Sequence, residues 1–587
     1  MTQAPVEAAA GERTHRLPAD LRARRAGRGA PVTHAVSRWI RGALFGAVVA
    51  GLAAAGCGDR QGKDIPRVDA DTVPEEARYG GTVVVAGMSD LHSMNSLTSS
   101  DYYTLQHQVY VLFTTLVRHG PGFVEEPFLA RSWEVNADTT EVLFHLRDDV
   151  RWHDGTPVTA ADVAFTFDRA KDPEVPFANR SYFDRWEVAE VVDEHRIRFL
   201  IRPHGDFLYG WAVTAIMPRH ILGGVPPGRL QGHPFGTSSP VGSGPFRFVE
   251  RVPGERWVFE ANPDFPAGLG GRPYLDRLVY RVIPEETAAL AELSSGRVDL
   301  YVDVAPDRLP RLAAHPSLAT VDFPSPTYSF IAWNSLRPYF ASPELRRALT
   351  MAIDREELLR AVRGGLGTPA AGPVGPWHPA FDPTWRPLPY APDSAAAILD
   401  RAGWRDRDGD GVREREGIRF SFELMTNEMK ERRDIAVVVQ AALARVGVEA
   451  IPRVRESAAL RDAVTSPDRR YDAAVLAWVR DVFLNDRDLW ACDQLGQPLQ
   501  FTSYCNPELD PVLDSIPLTV DRERRKDLIR HYHEIIATDQ PYTFLYFEKR
   551  ADALRRVLRG FEPDARGDWA SVSRWWLMPD ERRGAAR

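Results

Sequence analysis

Four short groups of residues carry side chains that could do chemistry. Trp152-His153-Asp154-Gly155 sets an imidazole beside a carboxylate, the kind of pair a general base and its orienting acid would use. Adjacent residues seldom aim at one substrate, and Asp-Gly after a strand is ordinary turn chemistry, so a turn is the expected role. His533-Glu534 opens the run HEIIA, which lacks the second histidine of a zinc-protease helix. Gly242-Ser243-Gly244 lacks nucleophile-elbow spacing, and the chain holds no phosphate-binding P-loop. Asp406, Asp408, Asp410 and Gly411 copy the start of a calcium loop, but Gly417 occupies the twelfth position, where a bidentate Glu belongs. A solvated aspartate turn is expected there. With no nucleophile beside a base and no intact ligand set, the residues predict no catalytic centre, no metal and no cofactor.

The three cysteines fall into one and two. Arg38 and Arg41 precede an uncharged run, residues 42–56 (GALFGAVVAGLAAAG), that ends at Cys57. The run is shorter than the ~20 residues a membrane helix needs. It has the order of a secretory signal: positive flank, apolar stretch, small residues, cleavage point. Ala55-Gly56-Cys57 resembles the lipobox of bacterial lipoproteins, in which the cysteine is lipidated and becomes the new N-terminus. Ala54 stands where Leu is usual, and Leu52 lies two residues too early, so soluble secretion is the competing reading. Export places Cys492 and Cys505 in an oxidising compartment where they can pair. Such a bridge should stabilise by roughly 3 kcal/mol. Zinc binding is disfavoured because no close cysteine pair or His cluster accompanies them, and free thiols are the remaining alternative.

The elements that position these groups need a large body, and composition supplies it. The chain has 587 residues, enough for two to four domains, with 44 % hydrophobic and 26 % charged residues. Residues 1–56 hold eight Arg against three acids, a net of +5, so the overall charge of −8 leaves −13 for the remainder. A body that acidic is a poor partner for nucleic acid, which needs clustered cations. Residues 1–56 are read as an N-terminal extension plus signal peptide. Residues 57–78, polar and carrying Pro66 and Pro74, are read as a lipid-anchored tether.

From residue 79 the pattern is that of a folded chain. Strands are expected at 82–87 (TVVVAG), 141–147 (EVLFHLR), 196–202 (RIRFLIR), 277–283 and 298–302, with a hairpin over 245–250 and 256–260. Helices are expected over 285–295, 393–401 and 432–445. Another begins at the capping Ser342 and carries Leu345, Leu349, Ile353, Leu359 and Val362 to Gly364-Gly365. The apolar run 473–479 (AAVLAWV) predicts a strand buried on both faces. Sheet dominates the first half, and alternating helix and buried strand in the second half indicates an α/β domain.

Residues 130–169 (ARSWEVNADTTEVLFHLRDDVRWHDGTPVTAADVAFTFDR) closely resemble the signature of family 5 extracellular solute-binding proteins, the peptide-, nickel- and related ligand-binding components of ABC importers. Further matches follow in family order: SPVGSGPFRF from Ser239, ANPDF from Ala261, and GRPYLDRLVYRVIPEETAALAELSSGRVDL from Gly271. PELRRALTMAIDRE from Pro343, AGWRDRDGDGVR from Ala402, NPELD from Asn506 and PYTFLYF from Pro541 complete the series. The resemblance covers about residues 79–565. The aspartate turn and the WHDG motif are part of it, which favours structural roles for both.

The resemblance implies an α/β, two-lobed, type II periplasmic-binding-protein-like fold with a hinge and an extra inserted domain. Lobe one would take residues 79–102, 234–325 and 542–587, the insert 103–233, and lobe two 326–541. It also implies a substrate-binding component of an ABC importer. Such a protein is lipid-anchored on the extracytoplasmic face of a bacterial membrane, a monomer, and partnered by membrane permease subunits. The ligand implied is an oligopeptide, with a nickel chelate, opine or sugar, or a role as solute sensor for a signalling receptor, as alternatives. In peptide-binding relatives a buried carboxylate takes the ligand's α-ammonium, and the matching position is Asp481, three residues after Trp478. Arg480 and Arg487 stand close enough in sequence to neutralise it. Tyr102, in the loop after the first strand, is the candidate contact from lobe one.

Overall fold

The structure is a computed structural model, and residues 73–582 other than Asp481 are described. Strand β1 (Thr82–Gly87) is a β-branched run with Val83 and Val85 fully buried. Helix α1 (Tyr102–His107) follows, capped by the Asp101 carboxylate, which accepts the Thr104 N–H at 3.1 Å. A separate antiparallel sheet comes next, built from β2 (Ala130–Val135), β3 (Glu141–Leu146), β4 (Trp186–Asp193) and β5 (Arg196–Ile201) in the order β2-β3-β5-β4. Helix α2 (Ala160–Lys171), held by a reciprocal Thr159–Asp162 capping box, packs Phe167 edge-on against Phe199 of that sheet.

The chain then makes the hairpin β6 (Phe246–Val252) and β7 (Arg256–Ala261), turning at Gly254 with φ +73°. Strand β8 (Arg277–Val282), helix α3 (Glu286–Ser294) and the short β9 (Leu300–Tyr301) follow. Strand β10 (Leu318–Trp333) is 16 residues long and leads into helices α4 (Pro343–Met351) and α5 (Arg355–Arg363). The remaining elements used below are β11 (Ser421–Thr426), α6 (Lys430–Ala444), β12 (Glu449–Val454), β13 (Ala473–Val479), α7 (Arg522–Asp539) and β14 (Tyr542–Arg555). They complete one mixed sheet in the order β12-β11-β13-β10-β14-β9-β1-β8-β7-β6.

The packing divides that sheet in two. One group of cores draws on residues 83–319 and 553–577, the other on residues 328–547. The β2–β5 sheet shares the first group, its Phe144, Trp186 and Phe199 lying in the same cluster as Val83 and Val85 of β1. Among the described strands, only β10 and β14 run through both halves. Their antiparallel register breaks between Pro324, opposite Lys549, and Tyr328, opposite Phe547. Residues 325–327 therefore bulge opposite Glu548 alone. Pro324 and Pro326 have no N–H to give the ladder, so the strand yields there.

Three expectations need correction. The helix over 342–363 is two helices, because Asp354 leaves helical geometry and caps α5, accepting the Glu357 N–H at 2.9 Å. The strand at 298–302 shrinks to Leu300–Tyr301. Residues 75–78, assigned to the tether, form a helical turn docked on the body, with the Arg78 guanidinium 5.6 Å from the Trp576 ring and Arg582 donating to the Ala77 carbonyl. Along β14, Tyr542, Phe544 and Phe547 pack with the second group of cores and Ala553 and Leu554 with the first. Cys57 lies outside the described residues, and with it the signal and lipidation readings.

Candidate functional site

Strand β13 shows why an apolar run can mark a site as well as a core. Ala473, Ala474 and Val475 are fully buried, but burial then falls away and Val479 is 74 % exposed. The strand is thus not buried on both faces along its length, as its composition predicts. One edge pairs with β10 from Ala473 to Val479; the other pairs with β11 only at Ala473 and Ala474. Among the described residues, that second edge carries no strand partner from Val475 to Val479. An extended ligand could add there as a further strand, its backbone satisfying the open N–H and C=O groups.

Trp478 sits on this segment, half-buried over an aromatic floor. Its ring stacks on Phe501 and Phe330 with centroids 6.1 and 6.4 Å away, and its indole N–H reaches the Tyr542 hydroxyl at 3.4 Å. Asp481 lies outside the described residues. Its neighbours are informative: the Arg480 guanidinium pairs with Asp486, whose other oxygen accepts the Tyr532 hydroxyl at 2.5 Å, and Trp490 donates to that hydroxyl at 3.0 Å. Burial alone would lower Arg480, but the Asp486 charge outweighs it and holds the guanidinium above its ordinary range. Arg487 pairs with Asp493 at 2.6 Å and Asp514 at 2.8 Å. Both arginines flanking position 481 therefore have acidic partners of their own. Cys492 and Cys505, just beyond, are joined by a disulfide.

A cavity of about 810 Å³ opens beside this segment. Val479, Arg480 and Phe483 form one wall, and Tyr182, Asp206 and Tyr209, from the β2–β5 region, form the other. A second cavity of about 380 Å³ lies at the bulge, lined by Asp303, Thr327, Arg363, Glu548, Lys549 and Arg550. Thr327 and Val479, a cross-strand pair of β10 and β13, line one cavity each. The volumes suit a drug- to peptide-sized guest.

Tyr102 lies on the other half of the molecule, 38 % exposed at the start of α1. The Arg550 guanidinium stands 4.6 Å from its ring centroid, a cation–π contact, and Tyr103 packs against it edge-on at 5.4 Å. Arg550, on β14 beside the bulge, is held by Asp568 at 3.2 Å and Asp303 at 3.4 Å. Tyr102 and Trp478 thus belong to opposite halves, each packed against one of the two strands that connect them. Arg550 and Asp303 have no signature in the sequence, because a lone Arg at a strand's middle carries no spacing signal.

The motifs weighed for chemistry are accounted for by structure. His153 Nε2 meets the Gly244 carbonyl at 3.0 Å, and its Nδ1 accepts the Gly242 N–H at 3.2 Å, so the WHDG turn clamps the Gly-Ser-Gly loop. Gly242 is required there, since a Cβ would lie 1.9 Å from the Leu112 carbonyl oxygen. Asp154 receives the Thr156 N–H and pairs with His220 at 2.7 Å. His533 is buried and stacked flat on Trp385 at 3.6 Å. In the aspartate turn, Asp406 accepts the Gly409 and Gly411 N–H groups, and Asp410 pairs with Arg419. Carboxylate oxygens of Asp406, Asp408 and Glu414 do lie within 4.8 Å of one another, but Asp406 and Asp408 are exposed and Asp406 already serves its own turn.

Comparison with known proteins agrees with the architecture. The oligopeptide-binding protein AppA of Bacillus subtilis is 31 % identical over 505 residues, covering 85 % of this chain and 92 % of that protein. Di/tripeptide-binding protein 2 of Pseudomonas aeruginosa is 25 % identical over 484 residues, covering 78 % and 88 %. The solved structure of the Bacillus subtilis AppA in complex with a nonapeptide superposes with a TM-score of 0.66 at 30 % identity, over 85 % of this chain and 99 % of that one. These relatives share the two-lobed α/β architecture of type II periplasmic binding proteins. Residues 125–497 match the model of bacterial extracellular solute-binding proteins, family 5, and the chain belongs to that family.

Proposed function

We propose that this protein is the substrate-binding component of an ABC importer and captures an extracytoplasmic peptide without transforming it. The observation that carries this reading is the open edge of β13, which ends at the exposed Val479 in the wall of the 810 Å³ cavity. Relatives named for oligopeptides and for di- and tripeptides support it. The ligand backbone adds to the Val475–Val479 edge and Trp478 supplies an apolar platform. Asp481 takes the α-ammonium, and Tyr102 closes on the ligand from lobe one. The bulge at residues 325–327 is the hinge, and closure over the ligand gives the form that docks on the permease. Cys57 is the lipid anchor that keeps a monomeric body at the outer face of the membrane.

The test is native mass spectrometry of the protein purified without added ligand. A ladder of peptide masses, lost on unfolding, is the expected result. A single non-peptide mass would move the ligand class away from peptides while leaving the fold untouched.

A further inference from the structure

The inserted domain shares its core with lobe one, yet it also touches lobe two, and it does so with unusual backbone. The Gly205 N–H donates to the Pro517 carbonyl at 2.9 Å. A Cβ on Gly205 would lie 2.5 Å from the Thr519 carbonyl oxygen, so only glycine allows this approach. The next residue, Asp206, has φ +50°, and that left-handed turn aims its carboxylate at Arg525 in the first turn of α7. Both side chains are mostly shielded, 9 % exposed for Arg525 and 12 % for Asp206. Arg525 also donates to the Thr519 carbonyl at 2.8 Å, which fixes its direction.

A second contact repeats the arrangement one helical turn away. Arg522 pairs with Glu125 at 3.0 Å and donates to the Phe123 carbonyl at 3.3 Å. Phe123 is itself left-handed, φ +56°, and its ring meets Trp377 of lobe two at 6.0 Å. Non-glycine residues seldom adopt that conformation, and they keep it where surrounding contacts over-determine it. Of the three such residues described in the insert, Phe123, Thr139 and Asp206, the first and last fall at points where the insert reaches lobe two.

We propose that the inserted domain is a strap, latched to α7 by the Asp206–Arg525 and Glu125–Arg522 pairs, and that the latch holds the 810 Å³ cavity shut over the bound ligand. The proposal rests on the peptide-binding reading for its ligand, but not for its mechanics. Lobe one and the insert move as one body because they share a core, so opening at the hinge strands must pull Asp206 from Arg525. The latch therefore adds to the closed state without touching the ligand. Arg522 and Arg525 are positioning residues: they set how long the cleft stays closed, not what enters it.

Hydrogen exchange on the full chain tests this, with a tryptic digest of casein as the peptide probe. In the wild-type protein, amides at 203–208 and 515–526 should exchange together, more slowly with the probe and faster in 1 M NaCl. Arg525→Ala should speed exchange at both segments by roughly tenfold or more, while β3 and β5 keep their protection. The charge swap Asp206→Arg with Arg525→Asp should restore it, and Gly205→Val should open the same segments with all charges intact. Wild-type protection in Arg525→Ala overturns the latch. So does a loss that spreads through the β2–β5 sheet or that the swap fails to rescue, since Arg525 would then be a folding residue. A wild-type protein whose segments respond to salt and substitution but not to the probe would keep the latch and overturn the peptide reading instead.

Discussion

Arg480 and Asp486 pair across the turn that leaves β13, with side chains 15 % and 1 % exposed. Tyr532 and Trp490 extend the pair into a buried chain of hydrogen bonds that reaches from the turn to α7. A buried pair is costly to break because the survivor is left charged and desolvated. Asp486→Ala should therefore destabilise the protein by about 3–5 kcal/mol, read as a shift of the urea midpoint, whereas Tyr532→Phe should cost only about 1–3 kcal/mol. Equal, small effects from both would mean that the turn does not depend on the pair.

With both flanking arginines engaged elsewhere, Asp481 is the acid left to meet a ligand's ammonium in the proposed reading. Asp481→Ala should weaken peptide binding by about 2–5 kcal/mol in a calorimetric titration, with the unfolding midpoint unchanged. Arg487→Ala, which disturbs only the exposed partners Asp493 and Asp514, should leave affinity near wild type. Unchanged affinity in the Asp481 variant would sink the assignment.

What the sequence revealed follows from the range of the forces involved. Local propensity and periodicity placed β1, the β6–β7 hairpin, β8 and α3, because each is set by its own residues and their alternation. Ser342 was readable as a cap and does accept the Leu345 N–H at 3.2 Å. The break at Asp354 was masked because the hydrophobic spacing runs through it, though an Asp two residues before paired glutamates is itself a cap signal. Strand β10 leaves little local signal, since Pro324 and Pro326 cannot donate to a ladder and so argue against a strand. Partnerships such as Asp206 with Arg525, 319 residues apart, are products of the tertiary fold and leave no local trace. The two expected ligand contacts described, Tyr102 and Trp478, differ in the same way: a loop signal marks one and a strand signal the other, and neither names Arg550 as the neighbour of Tyr102.

The aspartate turn makes a sharper prediction than its motif suggests. Asp406 uses both oxygens on backbone N–H groups, Asp410 is drawn to Arg419, and the position that should supply a bidentate ligand is Gly417 with φ +80°. Millimolar calcium should leave the melting temperature unchanged, and a clear rise that Asp406→Asn abolishes would establish a site.

Acid should unfold the protein through its buried histidines as well as its carboxylates. Burial lowers His107 to about 4, against the hydrogen bond to the Tyr103 carbonyl that favours its charged form, and burial lowers His533 to about 3. The unfolded chain takes up these protons near pH 6.5. Above that pH both states are neutral and the full stability is present. As pH falls below about 6.5 the unfolded state gains a proton the folded state refuses, so stability drops until the folded values are reached. At 1.36 kcal/mol per unit, each such histidine can remove about 3–5 kcal/mol. His533→Gln keeps a polar group against the Val374 N–H yet cannot take a proton. Urea unfolding between pH 7.5 and 4.5 should therefore show a fall in stability shallower in this variant by up to one proton. Parallel curves for wild type and variant would mean that His533 is protonated in the folded protein despite lying 2 % exposed against Trp385.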